Sequence, residues 1–436
     1  MSLAPGLVIA APASGAGKTT LTLALLRALH DAGLHVRSAK VGPDYIDPAF
    51  HAAASGAPCL NLDPWAMRPG LIAALYGQIA LDADLVLIEG VMGLFDGARD
   101  GSGSTADLAA LLGLPVVLAL DVRGQGASVA AVVEGFGRHR ADVALAGVIA
   151  NRVGSAQHRA VLTEALAKTG VPLLGALPRS PALELPARHL GLVQAAEHGA
   201  LERFLVAAGE AATAAIDLAA LCDLARAAEL AGAASETPLP PLGQRIALAR
   251  DTAFAFCYPH LLEGWRRQGA EILPFSPLAD EAPDAAADAV YLPGGYPELH
   301  AGRLAGNDRF RRGMAAAAAN GALIYGECGG YMVLGRGLTD AEGRQHAMLD
   351  LLPLVTSFAE RRLHLGYRRI EMLGDLPFAG VARLRGHEFH YSSVQQEDGA
   401  EALFRGSDAR GEGEALSGLR IGRVCGSFLH VVDADR

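Results

Sequence analysis

Two segments of the sequence carry residue types and spacings that can do chemistry. The first is a glycine-rich loop made of Ser14, Gly15, Ala16, Gly17, Lys18, Thr19 and Thr20. In such a loop the backbone N–H groups converge on phosphate oxygens, a lysine neutralises their charge and a threonine hydroxyl binds Mg²⁺. The second is a tight turn, 325–330, in which Cys328 is followed by two glycines. A cysteine exposed on a strand-to-helix turn is typical of a thiol nucleophile, so the chain combines a phosphate site with a nucleophile.

The phosphate loop departs from the usual pattern G-x-x-x-x-G-K-[ST], because Pro12 occupies the first glycine position. Its surroundings still fit, since an apolar strand, 7–11, precedes the loop and a helical stretch, 19–32, follows it. The alternative is a glycine-rich turn with a lysine on the first turn of its helix. Strand, loop, helix and the Gly-Lys-Thr sequence together favour a nucleotide-phosphate site in which Thr19 is a magnesium ligand.

Polar side chains follow three of the predicted strands, at the edge where parallel sheets bind ligands. Glu89 closes the strand 85–89 and is placed to bind Mg²⁺ directly or through water. Asp44 and Asp47 lie in a turn flanked by prolines, where they either complete this metal site or cap turns. Asn151 follows the strand 145–150 and either contacts the adenine edge of a nucleotide or is a turn residue.

The thiol nucleophile requires oxyanion donors and a general base. The predicted donors are the backbone N–H groups of three glycines in tight turns: Gly294, Gly295 and Gly329. His430, which follows a short apolar strand near the C-terminus, is the preferred base, with His387 and His390 as alternatives. The N-terminus of the helix after Cys328 is expected to lower the pKa of the thiol.

The elements that position these residues follow from the hydrophobic pattern. Up to about residue 200, short apolar runs alternate with Ala/Leu-rich helical stretches. The predicted strands are 7–11, 36–41, 85–89, 116–120, 145–150 and 172–177, with helices such as 19–32 and 128–138. Buried strands alternating with helices form parallel βαβ units, so we predict an α/β fold with a doubly wound parallel-sheet P-loop domain.

A proline-rich segment divides the chain. After a helical tail at 200–231, three prolines occur between 238 and 241, which favours an extended connector. We predict a first domain at 1–232, a linker at 233–244 and a second domain at 245–436. The second domain is also α/β, with predicted strands at 245–249, 272–275, 289–292 and 323–325.

Composition excludes several classes of protein. The 436 residues carry a formal net charge of −10 with both signs mixed, which disfavours nucleic-acid binding. Five scattered cysteines without a Cys-x-x-Cys pair disfavour a disulfide framework and favour a reducing compartment. No apolar run approaches the ~20 residues of a membrane span, and no signal-peptide pattern is present. We therefore expect a cytoplasmic protein that does not bind membranes.

Together these motifs resemble those of the cobyrinic or hydrogenobyrinic acid a,c-diamide synthases, the corrin amidotransferases of cobalamin biosynthesis. The resemblance covers essentially the full length. It rests on the phosphate loop, on Asn151 and His430, and on the segments 40–48, 89–97, 251–258, 274–277, 294–298, 327–330 and 386–392. It implies a synthetase domain like dethiobiotin synthetase, followed by an α/β class-I-type glutamine amidotransferase domain.

In this resemblance Cys328 attacks L-glutamine, forms a glutamyl thioester and releases ammonia, with His430 as general base. The synthetase domain uses ATP and Mg²⁺ to phosphorylate a corrin carboxylate, and ammonia then displaces the phosphate. The c and a acetate side chains are amidated in this way. Ordinary class-I amidotransferases carry a glutamate two residues after the histidine, where this chain has Val432. Similar corrin amidases share the departure, and we expect modest glutaminase activity.

The resemblance also implies a set of residues for the acyl-phosphate and corrin site. They are Lys40, Asp44, Tyr45, Ile46 and Asp47, with Thr19, Asp47 and Glu89 at the metal. The 44–48 neighbourhood favours the cobalt-free corrin, hydrogenobyrinic acid, over cobyrinic acid. Related synthetase domains pair through their sheets, so a homodimer is plausible.

Three rival functions remain. An amidase of the other corrin side chains, like adenosylcobyric acid synthase, has the same architecture. A P-loop switch ATPase usually has a lysine four positions before the final loop glycine, where this chain has Ala13, and it leaves Cys328 unexplained. A binding scaffold with an inactive amidotransferase domain is disfavoured because Cys328 and His430 are both present.

Overall fold

The computed structural model describes residues 3–184, 187–188, 191–192, 194–230 and 238–435. The chain divides into two compact units. The first unit comprises residues 1–65 and 69–236, and the second comprises 66–68 and 237–436. The predicted linker at 233–244 falls partly on 233–237, outside the described residues.

The first unit alternates strands and helices along the chain. Its strands are β1 Gly6–Ala10, β2 Val36–Val41, β3 Cys59–Leu62, β4 Leu85–Glu89, β5 Val116–Asp121, β6 Leu145–Val153, β7 Leu173–Pro178, β8 Ala187–Arg188 and β9 Gly191–Leu192. Its α-helices are α1 Lys18–Asp31, α2 Asp47–Ser55, α3 Pro69–Ala80, α4 Thr105–Leu112, α5 Val129–His139, α6 Ala156–Leu166, α7 Leu201–Ala215 and α8 Leu218–Leu224. Two 3₁₀ turns lie at Pro181–Leu183 and Ala195–Glu197.

The main sheet of the first unit is parallel throughout, in the order β3-β2-β4-β1-β5-β6-β7. All residues of β1 and β4 are buried, as expected for apolar strands covered by helices on both faces. Because β2, β4 and β1 are neighbours, their carboxyl ends bring the loops after them to one edge of the sheet. That edge is where α/β sheets bind ligands.

Every predicted strand of this unit is present, but β3 and the two-residue strands β8 and β9 were missed. β3 belongs to the main sheet. Its four residues include Asn61, a polar residue in a buried strand, whose side chain donates hydrogen bonds to Gly42 O and Asp44 O at 3.0 and 2.7 Å. The predicted helical tail is also interrupted, because α7 ends at Ala215 and Asp217 caps a new helix through its side chain.

The second unit contains more strands than the sequence indicated. They are β10 Arg245–Ala249, β11 Glu271–Phe275, β12 Ala289–Leu292, β13 Leu323–Glu327, β14 Gly337–Thr339, β15 Gln345–Ala347, β16 Leu354–Ser357, β17 His364–Met372, β18 Arg383–His390, β19 Ser393–Glu397, β20 Glu401–Ser407, β21 Ala415–Ile421, β22 Val424–Ser427 and β23 Leu429–Ala434. The α-helices are α9 Pro259–Arg267, α10 Ala301–Gly306, α11 Asp308–Ala319 and α12 Gly329–Leu334. The 3₁₀ turns are Pro277–Ala279 and Pro297–His300.

A ten-stranded sheet organises this unit, in the order β11-β10-β12-β13-β22-β21-β20-β17-β18-β23. The strands from β11 to β22 pair in parallel, and those from β21 to β23 pair antiparallel. A smaller sheet has the order β15-β14-β16-β19. The predicted strands are all in the parallel half. The antiparallel half was missed, and strands such as β17 and β21 are mostly exposed or half-buried and lack continuous apolar runs.

The predicted fold class, a doubly wound parallel-sheet domain followed by a second α/β domain, is confirmed. In the described part of the chain, no helix is both long and apolar enough to cross a membrane.

Candidate active sites

The phosphate loop connects β1 to α1 and is shaped by glycines. Gly17 has φ 85° and is the N-cap residue of α1, so Lys18 is the first helical residue. A Cβ on Gly17 would lie 2.3 Å from Asn151 Nδ2, which means that only glycine fits there. Asn151 itself donates a hydrogen bond to Ala16 O at 2.9 Å. Asn151 lies within β6, two residues before its end, rather than after the strand, and it supports the loop backbone. Contact with adenine stays a prediction.

The start of α1 faces a buried cluster of opposite charges. Lys40, at the end of β2, lies 2.6 Å from Asp47 Oδ2 and 2.7 Å from Glu89 Oε1 through its Nζ. The Thr19 hydroxyl donates to Glu89 Oε1 at 2.7 Å and lies 3.2 Å from Asp47 Oδ2. Lys40 and Glu89 are adjacent residues in the β2–β4 register. The structure therefore brings the three predicted metal ligands together: Asp47 and Glu89 bind the Lys40 ammonium, and the Thr19 hydroxyl contacts the same two carboxylate oxygens.

The pKa values in this cluster follow from burial and pairing. Burial opposes the charge on Lys40, but the carboxylates of Asp47 and Glu89 outweigh it and raise its pKa above the ordinary value. Burial also opposes the charge on Glu89, yet Lys40 and His51 hold its pKa well below the usual range. Burial and the neighbouring Asp44 raise the pKa of Asp47 to about 6.

These oxygens fit a magnesium ion, which takes carboxylate and hydroxyl ligands. The fit is visible in the structure itself, because Asp47 and Glu89 already bind a cation, the Lys40 ammonium, and the Thr19 hydroxyl lies against the same two carboxylate oxygens.

The two aspartates of the 44–47 turn have different surroundings. Asp44 Oδ1 accepts hydrogen bonds from the backbone N–H groups of Ile46 and Asp47 at 2.8 and 3.0 Å, and so caps the start of α2. Its other oxygen lies 3.9 Å from Lys40 Nζ. Asp47 instead makes the close contacts with Lys40 and Thr19. Tyr45 is half-buried and Ile46 is buried beside them.

The remaining residues of the loop lie at its open side. Ser14 and Gly15 are exposed, and Thr20 donates a hydrogen bond to Leu183 O at 3.4 Å. Lys18 Nζ donates to the carbonyl of Met92. Burial and the nearby Lys40 lower the pKa of Lys18 to about 8. In this arrangement the ammonium group of Lys18 contacts the backbone of the loop that follows β4.

His51 is a member of this site that the sequence analysis missed. It lies on α2, one turn after Asp47, and its Nε2 is 2.6 Å from Glu89 Oε2. Cys59 Sγ lies 3.5 Å from the other ring nitrogen, Nδ1. The pKa of His51 is raised to about 10, because Cys59 and Glu89 outweigh the effect of burial. In the sequence, the i,i+4 spacing of His51 from Asp47 indicates that the two side chains lie on the same face of a helix.

In the second unit, Cys328 occupies a strained turn between β13 and α12. Its backbone has φ 47° and ψ −101°, outside the regions that side-chain-bearing residues favour. Its N–H donates to Ser427 O at 2.8 Å, on the neighbouring strand β22. Such strain is typical of a turn that aims a nucleophile.

Two expectations for Cys328 were wrong. Its side chain is buried, 4% exposed, rather than presented to solvent. The pKa of its thiol is raised, not lowered: burial and the carboxylate of Glu298 dominate, and the backbone N–H of Gly329 acts in the opposite direction more weakly. The helix α12 has only six residues, and its dipole does not overcome the loss of solvation.

The loop after β12 lies against this turn. A Cβ on Gly329 would be 3.0 Å from Gly295 N, and Gly330 N donates to Pro293 O at 3.1 Å. A Cβ on Gly294 would lie 2.5 Å from His430 Cε1 and 3.4 Å from its Nε2. The three glycines proposed as oxyanion donors therefore adjoin one another and the histidine that we prefer as base.

The three candidate histidines differ in their contacts. His430, the second residue of β23, is buried, with Nδ1 at 3.7 Å from Glu327 Oε2. His387 lies opposite it on β18, with the rings stacked at 4.8 Å, and its Nε2 is 2.7 Å from the Tyr258 hydroxyl. His390 is 3.0 Å from both Glu388 Oε1 and Ser392 Oγ. The proximity to Gly294 distinguishes His430.

Comparisons with known proteins cover both units. Residues 7–193 match the family model of the CobQ/CobB/MinD/ParA nucleotide binding domain, and residues 245–436 match that of the CobB/CobQ-like glutamine amidotransferase domain. A hydrogenobyrinate a,c-diamide synthase of Brucella suis is 61% identical over 430 residues, 98% of each chain. The chain belongs to this family. Synthases of the same name are 57% identical in a Sinorhizobium species and 55% identical in Rhodobacter capsulatus, again over 98% of each chain.

Membership of the hydrogenobyrinate a,c-diamide synthase family confirms the resemblance drawn from the motifs. It also confirms that the chain is a glutamine-dependent amidating ligase with a nucleotide-binding domain and an amidotransferase domain. The phosphate loop and the Lys40 cluster lie within the nucleotide-binding match. Cys328 and His430 lie within the amidotransferase match.

Proposed function

We propose that this protein amidates the a and c acetate carboxylates of hydrogenobyrinic acid, using ATP, Mg²⁺ and L-glutamine. The observation that carries the proposal is the 61% identity over 98% of the chain with a hydrogenobyrinate a,c-diamide synthase. The printed names of the relatives favour the cobalt-free corrin over cobyrinic acid. The chain contains both the turn with Cys328 and the phosphate loop, which supports the proposal that it catalyses both half-reactions.

The first unit is the synthetase half in this proposal. The N–H groups of the loop from Ser14 to Thr20 and the ammonium of Lys18 hold the ATP phosphates. Thr19, Asp47 and Glu89 would hold Mg²⁺, and the bound ion would supply positive charge for the transferred phosphoryl group. Lys40, released from the two carboxylates, binds the corrin carboxylate or the acyl phosphate. Asn151 contacts adenine or, through Ala16, supports the loop.

The corrin site is proposed at the start of α2. A carboxylate oxygen of the corrin attacks the terminal phosphorus of ATP, the bond to the bridging oxygen breaks and ADP leaves. Ammonia then attacks the acyl carbon, and phosphate leaves with formation of the amide. Tyr45 and Ile46 lie beside Asp47 and would contact the macrocycle, while Asp44 fixes this turn through its hydrogen bonds to 46 and 47.

The second unit is the glutaminase half. Cys328 attacks the side-chain amide of glutamine, His430 accepts the thiol proton and passes it to the departing ammonia, and water hydrolyses the thioester. The N–H groups of Gly294, Gly295 and Gly329 would stabilise the tetrahedral intermediate. Because burial keeps the resting thiol protonated, proton transfer to His430 must accompany substrate binding.

The domain limits 1–232, 233–244 and 245–436 belong to the same proposal and are supported by a division between the two units at 236 and 237. A cytoplasmic location is supported by five cysteines that are all free. The negative net charge supports the absence of nucleic-acid binding. We also propose that the protein is a homodimer and that it does not bind membranes. Sedimentation tests the first statement, and co-flotation with lipid vesicles tests the second.

The decisive experiment is a product-mass assay with ATP, Mg²⁺, glutamine and either hydrogenobyrinic or cobyrinic acid. Wild type should add two amides to hydrogenobyrinic acid, and Cys328→Ala should do so only with an ammonium salt. Preference for the cobalt corrin would correct the substrate. Hydrolysis of ATP without amidation of either corrin would refute the substrate class, and the other corrin amidase activity would be assayed next.

A further inference from the structure

The proposed glutaminase site lacks the carboxylate that class-I amidotransferases place two residues after the histidine. Val432 occupies that position, and its carbonyl accepts a hydrogen bond from His260 Nε2 at 3.1 Å. We infer that Glu327, the residue immediately before Cys328, replaces the missing carboxylate and positions His430. The inference rests on the proposed glutaminase half-reaction and adds to it a residue that orients the base.

Glu327 contacts both His430 and the residue that follows it. Its Oε2 lies 3.7 Å from His430 Nδ1, and the side chains of both residues are only 2% exposed. Its Oε1 accepts a hydrogen bond from the backbone N–H of Val431 at 3.2 Å. The carboxylate therefore holds both the ring and the peptide that follows it. A separation of 3.7 Å in the free enzyme shortens to a hydrogen bond as the ring takes up a proton, since catalytic contacts tighten in the substrate complex.

Two buried tyrosines fix the carboxylate. The hydroxyl of Tyr291 donates to Glu327 Oε2 at 2.8 Å, and that of Tyr325 donates to Oε1 at 2.9 Å. These residues are directly opposite in the β12–β13 register, and their rings stack at 5.7 Å. Burial and Glu327 raise the pKa of both phenols well above the usual range, so they remain donors. Because the two phenols are neutral, they fix the position of the Glu327 carboxylate without neutralising its charge. That negative charge then stabilises the protonated ring of His430.

Neighbouring carboxylates are engaged by guanidinium groups instead. Asp433, on the same strand as His430, accepts hydrogen bonds from Arg68 Nε and Nη2 at 2.8 and 2.9 Å. Glu388 is bound by Arg368 at 2.7 and 3.0 Å. Their negative charge is already paired, whereas the hydrogen bonds that fix Glu327 come from phenols and a backbone amide.

The orientation of the ring agrees with this role. The Nδ1 edge of His430 faces Glu327, and Nε2 is the nitrogen nearest the position of a Cβ on Gly294, at 3.4 Å. The 294–295 loop adjoins Gly329, the residue after the nucleophile. With Nδ1–H directed to Glu327, Nε2 is free of a proton and accepts the one that leaves Cys328 as the S–C bond forms. The same proton leaves with ammonia when the C–N bond breaks.

The test compares glutamate release from glutamine by wild type, Glu327→Gln and Glu327→Asp. We expect Glu327→Gln to lower kcat roughly 10²-fold, a typical value for a general-base contribution, with KM for glutamine unchanged. Glu327→Asp keeps the charge and should recover part of kcat. The matched control is Glu397→Gln on β19, which removes a carboxylate that accepts a 2.6 Å hydrogen bond from the hydroxyl of Tyr331 in α12, and it should retain wild-type kcat.

Ammonia-dependent amidation separates positioning from structural support. Glu327→Gln should amidate corrin with an ammonium salt at the wild-type rate and unfold at an unchanged temperature. A wild-type kcat in Glu327→Gln would overturn the inference, as would an equal loss of the ammonia-dependent rate. If Glu327→Gln does not fold, Glu327→Asp decides: lower kcat at constant KM supports positioning, and unchanged kcat overturns it.

The two proposals fail separately. If wild type hydrolyses glutamine but amidates no corrin, the substrate proposal fails and the glutaminase comparison still decides the role of Glu327. If wild type hydrolyses no glutamine at all, both are overturned.

Discussion

Gly294→Ala tests whether the thiol turn, the 294–295 loop and His430 work as one site. The added Cβ would lie 2.5 Å from His430 Cε1. Carbon atoms pack at about 3.5–4.0 Å, so the ring or the loop must move by about 1 Å. A displacement of about 1 Å in a catalytic arrangement costs roughly 10²-fold in rate. We therefore expect glutaminase kcat to fall by roughly 10²-fold.

The assay follows glutamate release at saturating glutamine, alongside corrin amidation driven by an ammonium salt. Gly294→Ala should impair the first and leave the second intact, because the synthetase residues lie in the first unit. Gly306→Ala is the matched control, since a Cβ there would meet nothing within 4 Å. A wild-type glutaminase rate in Gly294→Ala would refute the reasoning, because His430 would then tolerate displacement without loss.

Three further predictions concern buried charges. Lys40→Met removes the ammonium group that Asp47 and Glu89 share; it should destabilise the first unit by about 3–5 kcal/mol and abolish amidation with either nitrogen source, as measured by thermal unfolding and product mass. His51→Ala removes the side chain that contacts Glu89 Oε2 and should lower ammonia-dependent amidation about 10- to 100-fold without affecting glutaminase activity. If the variant and wild type amidate at the same rate, His51 does not position Glu89. Burial raises the pKa of Glu298 from 4.5 to about 7, so the folded state loses stability as pH rises between these values. At pH 8 the free energy of unfolding of Glu298→Gln should therefore exceed that of wild type by at most about 3 kcal/mol. The difference should vanish near pH 4.5, and unfolding measured as a function of pH tests this.

Most parallel strands of both units were predictable from sequence because most of them are buried on both faces. β4 consists of Leu-Val-Leu-Ile-Glu, a continuous apolar run that needs no partner to be recognised. The antiparallel strands β17 to β21 mix buried and exposed positions and depend on pairing between distant segments. Their register is set by tertiary contacts, which a local pattern does not contain.

The site was predictable where chemistry imposes a local motif. The loop at 14–20 and the turn around Cys328 both have short-range signatures, and the structure places them on a strand-to-helix connection in each unit. The contacts of Glu327 with His430 and of His51 with Glu89 are long-range, and the spacing of His51 from Asp47 indicates only a shared helix face. The direction of the Cys328 pKa shift was wrong because burial is a property of the fold and outweighs a local helix terminus.

The burial of Cys328 has a consequence for how the protein withstands oxidants. Peroxides and alkylating reagents react with thiolates, and a thiol that is 4% exposed with a raised pKa offers them little. The sulfur becomes reactive only when glutamine reaches it and His430 takes its proton. Burial of Cys328 therefore delays its reaction with glutamine but protects the thiol between turnovers. Iodoacetamide should inactivate the enzyme slowly in the absence of glutamine.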